Sequence, residues 1–140
     1  MFILDTNVVS ELRRRDRANP QVLAWADSVS QPDLFISVIT VLEIETGILA
    51  LKRRDARQGE VLRDWLEGYI LPSFANRILP VDLPVARRCA ALHVPDRKSE
   101  RDAYIAATAM VHGLAVVTRN MCDFQSMGVG LINPWEANNK

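Results

Sequence analysis

The chain is predicted to be an α/β protein built on a parallel sheet, and three observations predict it. Short apolar runs (MFIL, LFISV, ILPV, LAVVT, GLI) recur along the sequence, stretches with helical spacing separate them, and acidic residues stand where the packed segments break. Strands alternating with helices close into a parallel sheet through right-handed crossovers. A length of 140 residues with 49% hydrophobic and 24% charged residues suits one domain, 1–140, and excludes disordered and low-complexity classes. Such a chain buries roughly two thirds of its unfolded surface. No apolar run approaches the ~20 residues of a membrane span. Asp5 interrupts the N-terminus too early for a signal peptide, so a cytoplasmic location is expected.

Residues 1–5 read as a buried strand, and TNVVSEL as a helix start that Thr6 or Asn7 can cap. VLAWADSV is helical, and LFISV after Pro32 has strand character. Ser37 or Thr40 can start the next helix, from about Ile39 to Arg54, with Val41, Ile44 and Ile48 near one face, Glu43 close to that stripe, and Glu45 and Lys52 free to face water. A further helix from Gln58 to Leu71 carries Val61, Leu62, Trp65, Leu66 and Tyr69, with Pro72 marking its end. ILPV at 78–81 is a brief strand, Pro84 suits the first turn of a helix through Cys89 to His93, and 95–99 is a polar loop. Ser99 stands three residues before Asp102, a spacing like a capping box for the helix Glu100 to His112, which Gly113 ends. LAVVT at 114–118 is a buried strand, Arg119 to Met127 a loop, and GLI at 130–132 a last strand.

Asp5, Glu43, Asp102 and Asp123 occupy the breaks in this pattern. A parallel sheet binds ligands at the carboxyl ends of its strands. Asp5 and Asp123 follow strands there, and helices running antiparallel to the strands return Glu43 and Asp102 to the same edge. Gathered carboxylates repel and raise one another's pKa values until a divalent cation neutralises them. Each acid also has a plainer explanation: Asp5 as a helix cap, Asp102 as a first-turn residue favoured by the helix dipole, Asp123 in an Asx-turn, Glu43 reaching solvent. Cys89 and Cys122 lack metal-ligand spacing and read as free thiols. His93 and His112 lack partners for metal-free acid-base chemistry, and Ser10 and Cys122 lack a triad. Net charge is zero, yet basic residues cluster at 13–17, 52–57 and 97–101, as solvated helix ends or as phosphate contacts.

LDTNVVSEL at 4–12, SVITVLEIETG at 37–47, RDAYIAATAMVHGLAVVTRN at 101–120, DF at 123–124 and INPWE at 132–136 together resemble the PIN-domain proteins, more narrowly the VapC-like or FitB-like toxin ribonucleases of type II toxin–antitoxin systems. The pieces follow the family's order over nearly the full length. The resemblance implies a PIN-like fold, a five-stranded parallel sheet flanked by helices, with an acidic pocket holding Mg²⁺ or Mn²⁺. Asp5, Glu43, Asp102 and Asp123 match its acidic positions, and Thr6, Thr118 and Asn120 match polar positions that support the pocket. Met121 and Cys122 stand where the family's loop is commonly more polar, and Glu45 and Asp96 are extra acids near the motifs.

The activity so implied is metal-dependent hydrolysis of RNA phosphodiester bonds, with an antitoxin whose tail covers the pocket and with a homodimer. Arg97, Lys98, Arg101 and Arg119 are expected to rim the pocket and touch the RNA. Two other classes compete. A receiver-like phosphoacceptor wants paired acids after its first strand and a lysine after a late one, whereas Thr6 and Arg119 occupy those places. A catalytically idle PIN-fold binding module would typically lack the acids, and all four are present.

Overall fold

In a computed structural model, which describes residues 1–136, five parallel strands form one sheet in the order β3-β2-β1-β4-β5. The last four positions of the expected 1–140 domain lie outside the described residues. The strands are β1 Phe2–Leu4, β2 Leu34–Ser37, β3 Ile78–Leu79, β4 Ala115–Val117 and β5 Leu131–Ile132. β1 pairs with β2 through Phe2 and Leu34 and with β4 through Ile3 and Val116, so the first strand lies at the centre. Alternation along the strands divides the core between two faces. Leu4, Ile36 and Val117 join Val8, Val9, Ile44, Ile48, Leu66, Ile70 and Phe74 in one cluster. Ile3 and Val116 join Ile39, Ile105, Ala106, Ala109, Phe124 and Met127 in another. These are the expected α/β layers, with helices on both faces of the sheet.

The helices follow the sequence pattern, with instructive differences at their ends. Helix α1, Thr6–Glu11, is capped by Asp5, not by Thr6 or Asn7, because the Asp5 side chain accepts the Thr6 N–H at 2.8 Å. Helix α2 spans Pro20–Asp27 behind an Asn19 cap, and α3 spans Val38–Lys52 with the Ser37 hydroxyl accepting the Ile39 N–H. Glu45 does not simply face water, since Arg63 of α4, Ala56–Trp65, pairs with it at 2.6 Å.

Pro72 does not stop the next helix either. A π turn, Leu66–Ile70, precedes it and leads into α5, Leu71–Ser73. Its wider hydrogen-bond loop relieves the clash that a proline ring makes with an α-helical carbonyl.

Helix α6, Leu83–Leu92, packs on α7, Glu100–His112, through Val85, Cys89, Ala103 and Ala107. Small side chains on α7 let the two backbones approach. Gly113 ends α7 at φ 69°, the left-handed conformation that favours glycine. The stretch expected as a loop from Arg119 to Met127 is instead mostly helical: α8, Met121–Phe124, runs into a 3₁₀ turn, Gln125–Met127, and Phe124 and Met127 anchor it in the core. Two anchors spaced three apart are too short a signal to distinguish from a loop by periodicity. Cys89 and Cys122 are free thiols. His93 closes α6 and accepts the Lys98 N–H on Nδ1 at 3.1 Å, which pins the polar loop leading to Asp102.

Candidate functional site

Asp5 leaves β1 with its N–H donated to the Val117 carbonyl at 2.9 Å, so its carboxylate stands at the carboxyl end of the central strand pair. It is 5% exposed. A buried anion needs donors, and Asp5 has three: the Thr6 N–H at 2.8 Å, the Thr118 hydroxyl at 2.8 Å and the Asn7 amide at 3.3 Å. Burial still pushes its carboxyl above the ordinary range. The Thr118 and Thr6 hydrogen bonds oppose that rise, and the charges of Glu43 and Asp123 add to it.

Asp102 lies in the first turn of α7, which runs antiparallel to the strands and so begins at their carboxyl edge. Its carboxyl is pushed up to about 6, first by burial and then by the charges of Asp5, Asp123 and Glu43, with the Ser99 hydroxyl opposing. Ser99 occupies the N-cap position but makes no side-chain cap bond. The expected capping box is therefore replaced by a contact between Ser99 and the Asp102 carboxyl itself. Glu43, one turn into α3, accepts the Thr6 hydroxyl at 2.5 Å and lies 3.6 Å from the Arg101 guanidinium. Asp123 sits on the exposed side of α8, its N–H donated to the Asn120 carbonyl at 3.1 Å.

The structure thus brings all four predicted acids into one electrostatic field. It does not close them into a cage: among the described residues no group of three or more His, Cys, Asp or Glu is placed to hold a metal ion. Like charges do not draw together without a counter-ion, and Glu43 is bonded to Thr6 and paired with Arg101. The donor set nevertheless fits a hard divalent cation, which takes carboxylate oxygens and keeps several waters. The raised Asp102 carboxyl is the strain that such a cation would relieve.

Of the predicted supporting residues, Thr118 is buried and central, donating to Asp5 and accepting the Asn120 N–H at 3.0 Å. Thr6 ties helix α1 to Glu43. Asn120 acts through its backbone, at both its N–H and its carbonyl. Arg101 sits against Glu43 and Arg119 follows Thr118, while Arg97 and Lys98 lie on the pinned loop before α7. Glu45 is engaged by Arg63, and Asp96 is exposed on that loop.

Sequence reasoning missed two residues of the network. Asn7 bridges Asp5, Thr118 and the Arg119 N–H, and buried Thr40 lies 3.1 Å from the Thr6 hydroxyl. The signal for Asn7 was the run of three polar residues directly after a buried strand. Thr40 gave none beyond a polar residue on an apolar helix face. A cavity of about 120 Å³ lined by apolar residues such as Leu12, Trp65 and Phe74 and by the charged Arg13, Arg15 and Asp27 includes none of the four acids.

Known proteins share this chain's sequence and fold. The PIN domain family model matches residues 2–125. The VapC ribonuclease Y4jK of Sinorhizobium fredii is 42% identical over 97% of this chain and 99% of its own length. Toxin FitB of Neisseria gonorrhoeae is 43% identical over 96% of this chain and 99% of its own. Among solved structures, FitAcB from Neisseria gonorrhoeae superposes with a TM-score of 0.88 at 41% identity, covering 97% of this chain and 99% of that one. A toxin–antitoxin complex from Klebsiella pneumoniae reaches a TM-score of 0.69 at 28% identity, covering 97% and 99%.

Proposed function

The chain belongs to the PIN-domain family, and on that premise we propose that it is the endoribonuclease toxin of a toxin–antitoxin pair, hydrolysing RNA phosphodiester bonds at the crevice of Asp5, Glu43, Asp102 and Asp123. PIN-domain ribonucleases generally depend on a divalent metal, which in this reading is Mg²⁺ or Mn²⁺. The observation that carries the site assignment is the convergence of Asp5, Glu43 and Asp123 on the half-buried Asp102 in the first turn of α7, where burial and their charges raise its carboxyl. A module that only binds a partner gains nothing from that repulsion, whereas a cation site uses it.

Asp5 and Asp102, with Asp123 and Glu43 at the flanks, are the residues that would hold the cation. A bound cation would lower the pKa of a water and neutralise charge on the scissile phosphate. The chain's own groups prepare that site. Thr118, Asn7 and the Thr6 N–H hold the Asp5 carboxylate in one orientation, and the Thr6 hydroxyl holds Glu43, for which Arg101 competes. Burial and the neighbouring acids raise the Asp102 carboxyl, and a cation bound there would favour its ionised form.

The partner of the toxin is its cognate antitoxin, whose tail in this reading covers the acidic pocket. Arg97, Lys98, Arg101 and Arg119 face the RNA backbone. In this reading the protein also pairs with itself.

The test is cleavage of a defined structured RNA by purified protein with Mg²⁺ or Mn²⁺, with chelator, and with Asp102→Asn in parallel. Cleavage that requires both the metal and Asp102 supports the reading. Metal-independent cleavage, or cleavage by Asp102→Asn at the wild-type rate, refutes it.

A further inference from the structure

Beside the acids, the β4–β5 edge carries a cation stacked on an aromatic ring. Arg119 directly follows Thr118, the residue whose hydroxyl fixes Asp5, and its exposed guanidinium lies 5.2 Å from the centroid of the Trp135 ring. The backbone of both partners is held in place. Arg119 donates its N–H to Asn7 at 3.3 Å, and Trp135 donates its own to the Asn133 side chain at 2.9 Å while its body packs on the core. The Thr118 N–H reaches the Ile132 carbonyl at 2.9 Å and ties the two segments together. Among the described ion pairs Arg119 has no carboxylate partner, whereas Arg101 is paired with Glu43 and Arg63 with Glu45. Its charge is therefore open to a ligand, on the residue that directly follows Thr118, whose hydroxyl holds Asp5.

We propose that Arg119 backed by Trp135 is a stacking platform for one unpaired nucleobase of single-stranded or looped RNA, next to the phosphodiester presented to the acids. The proposal rests on the ribonuclease reading. Unstacked RNA bases dock on aromatic rings and on guanidinium planes, and every base has a face suited to that contact. The cation already lies over the ring, so a base can add to that pair as a third layer. Arg119 then acts by its plane as well as its charge.

The experiment is equilibrium binding, in chelator so that no cleavage occurs, of a short fluorescein-labelled single-stranded RNA of mixed sequence. It uses wild type, Arg119→Lys, Arg119→Ala and Trp135→Phe, each checked for a native thermal melt, and a set of the same RNA with single abasic positions. The platform requires Arg119→Lys to bind about fivefold or more weakly than wild type with an unchanged salt slope. It also requires one abasic position to weaken wild type by a similar factor while leaving Arg119→Lys unaffected. Trp135→Phe keeps a ring and should lie between wild type and Arg119→Ala. Affinity fully retained by Arg119→Lys, with Arg119→Ala losing about one unit of salt slope, would overturn the platform and leave a simple phosphate contact. Variants that bind RNA normally but fail to bind the antitoxin would also overturn it, assigning the edge to protein docking. If wild type neither binds nor, with metal, cleaves RNA, the underlying ribonuclease reading fails instead.

Discussion

Replacing Asp102 with asparagine should make the metal-free protein more stable. The Asp102 carboxyl rises from 3.8 to about 6 because folding buries it and sets it beside Asp5, Asp123 and Glu43. At full strength that rise corresponds to a cost of about 3 kcal/mol to the ionised native state. The side chain is only partly buried, so solvent screening reduces the cost to about 1 kcal/mol. The direction with pH follows from linkage. A folded pKa above the unfolded one means that the native state binds the extra proton, so stability is fully present below about pH 4 and is lost as pH rises through 6. Asparagine carries no charge at any pH and escapes the loss. In chelator at pH 7.5 the variant should melt about 3 °C above wild type, given the unfolding entropy of a chain this size. The gap should shrink as pH falls from 6 toward 4. Saturating Mn²⁺ should raise the wild-type melting temperature and leave the variant's almost unchanged, inverting the order. A variant that melts at or below wild type in chelator at pH 7.5 would refute the claim that Asp102 is held in a repulsive field.

Other consequences can be checked with the same samples. Thr118→Val removes the hydroxyl that donates to Asp5 and accepts from Asn120, and should cost about 2 kcal/mol in urea unfolding at pH 8, with Thr118→Ser keeping most of the stability. Because cation binding needs Asp102 ionised, Mn²⁺ affinity measured calorimetrically should weaken by about tenfold per pH unit below 6 and flatten above 7. Removing Arg101 as alanine frees Glu43 from its 3.6 Å partner, and should tighten Mn²⁺ binding by about two- to fivefold in the absence of RNA, the modest range of a half-exposed ion pair. At Gly59 a Cβ would sit 2.2 Å from Lys52 Cγ and 3.0 Å from Lys52 Cα, where α3 and α4 approach closely. Gly59→Ala should therefore lower the stability measured by urea unfolding by about 1–3 kcal/mol, despite alanine's better helix propensity.

The fold was legible because its strands are brief apolar runs and its helices carry period-3.6 patterns, and neither signal needs tertiary information. The four acids were legible for a related reason. Each breaks an apolar pattern at a place where topology, not sequence distance, decides its neighbours, and antiparallel return helices leave only one edge for Glu43 and Asp102. What could not be read was the hydrogen-bonding that arms the site. Asp5 rather than Thr6 caps α1, because a side chain can cap only if it is not drawn elsewhere, and the Thr6 hydroxyl is drawn to Glu43. Ser99 turns to Asp102 instead of the backbone. The helical turn at Met121–Met127 escaped notice because two buried anchors, Phe124 and Met127, carry too little periodicity.

Those unread bonds explain why the site can carry so much like charge. Asp5 is tied to the scaffold through Thr118, Asn7 and the Thr6 N–H, which hold its carboxylate in place. Asp123 sits on a short helix at the surface and Glu43 on a salt-bridged side chain, both able to shift as charge is neutralised. The central acid is thus rigid and its flanking acids adjustable. Damage should follow the same order. Loosening Thr118 disturbs the fixed ligand and the sheet edge together, whereas loosening Arg101 changes only the competition for Glu43. A comparison of Thr118→Val and Arg101→Ala in both stability and Mn²⁺ affinity separates the two roles: the first should lose both, the second should keep stability and gain affinity.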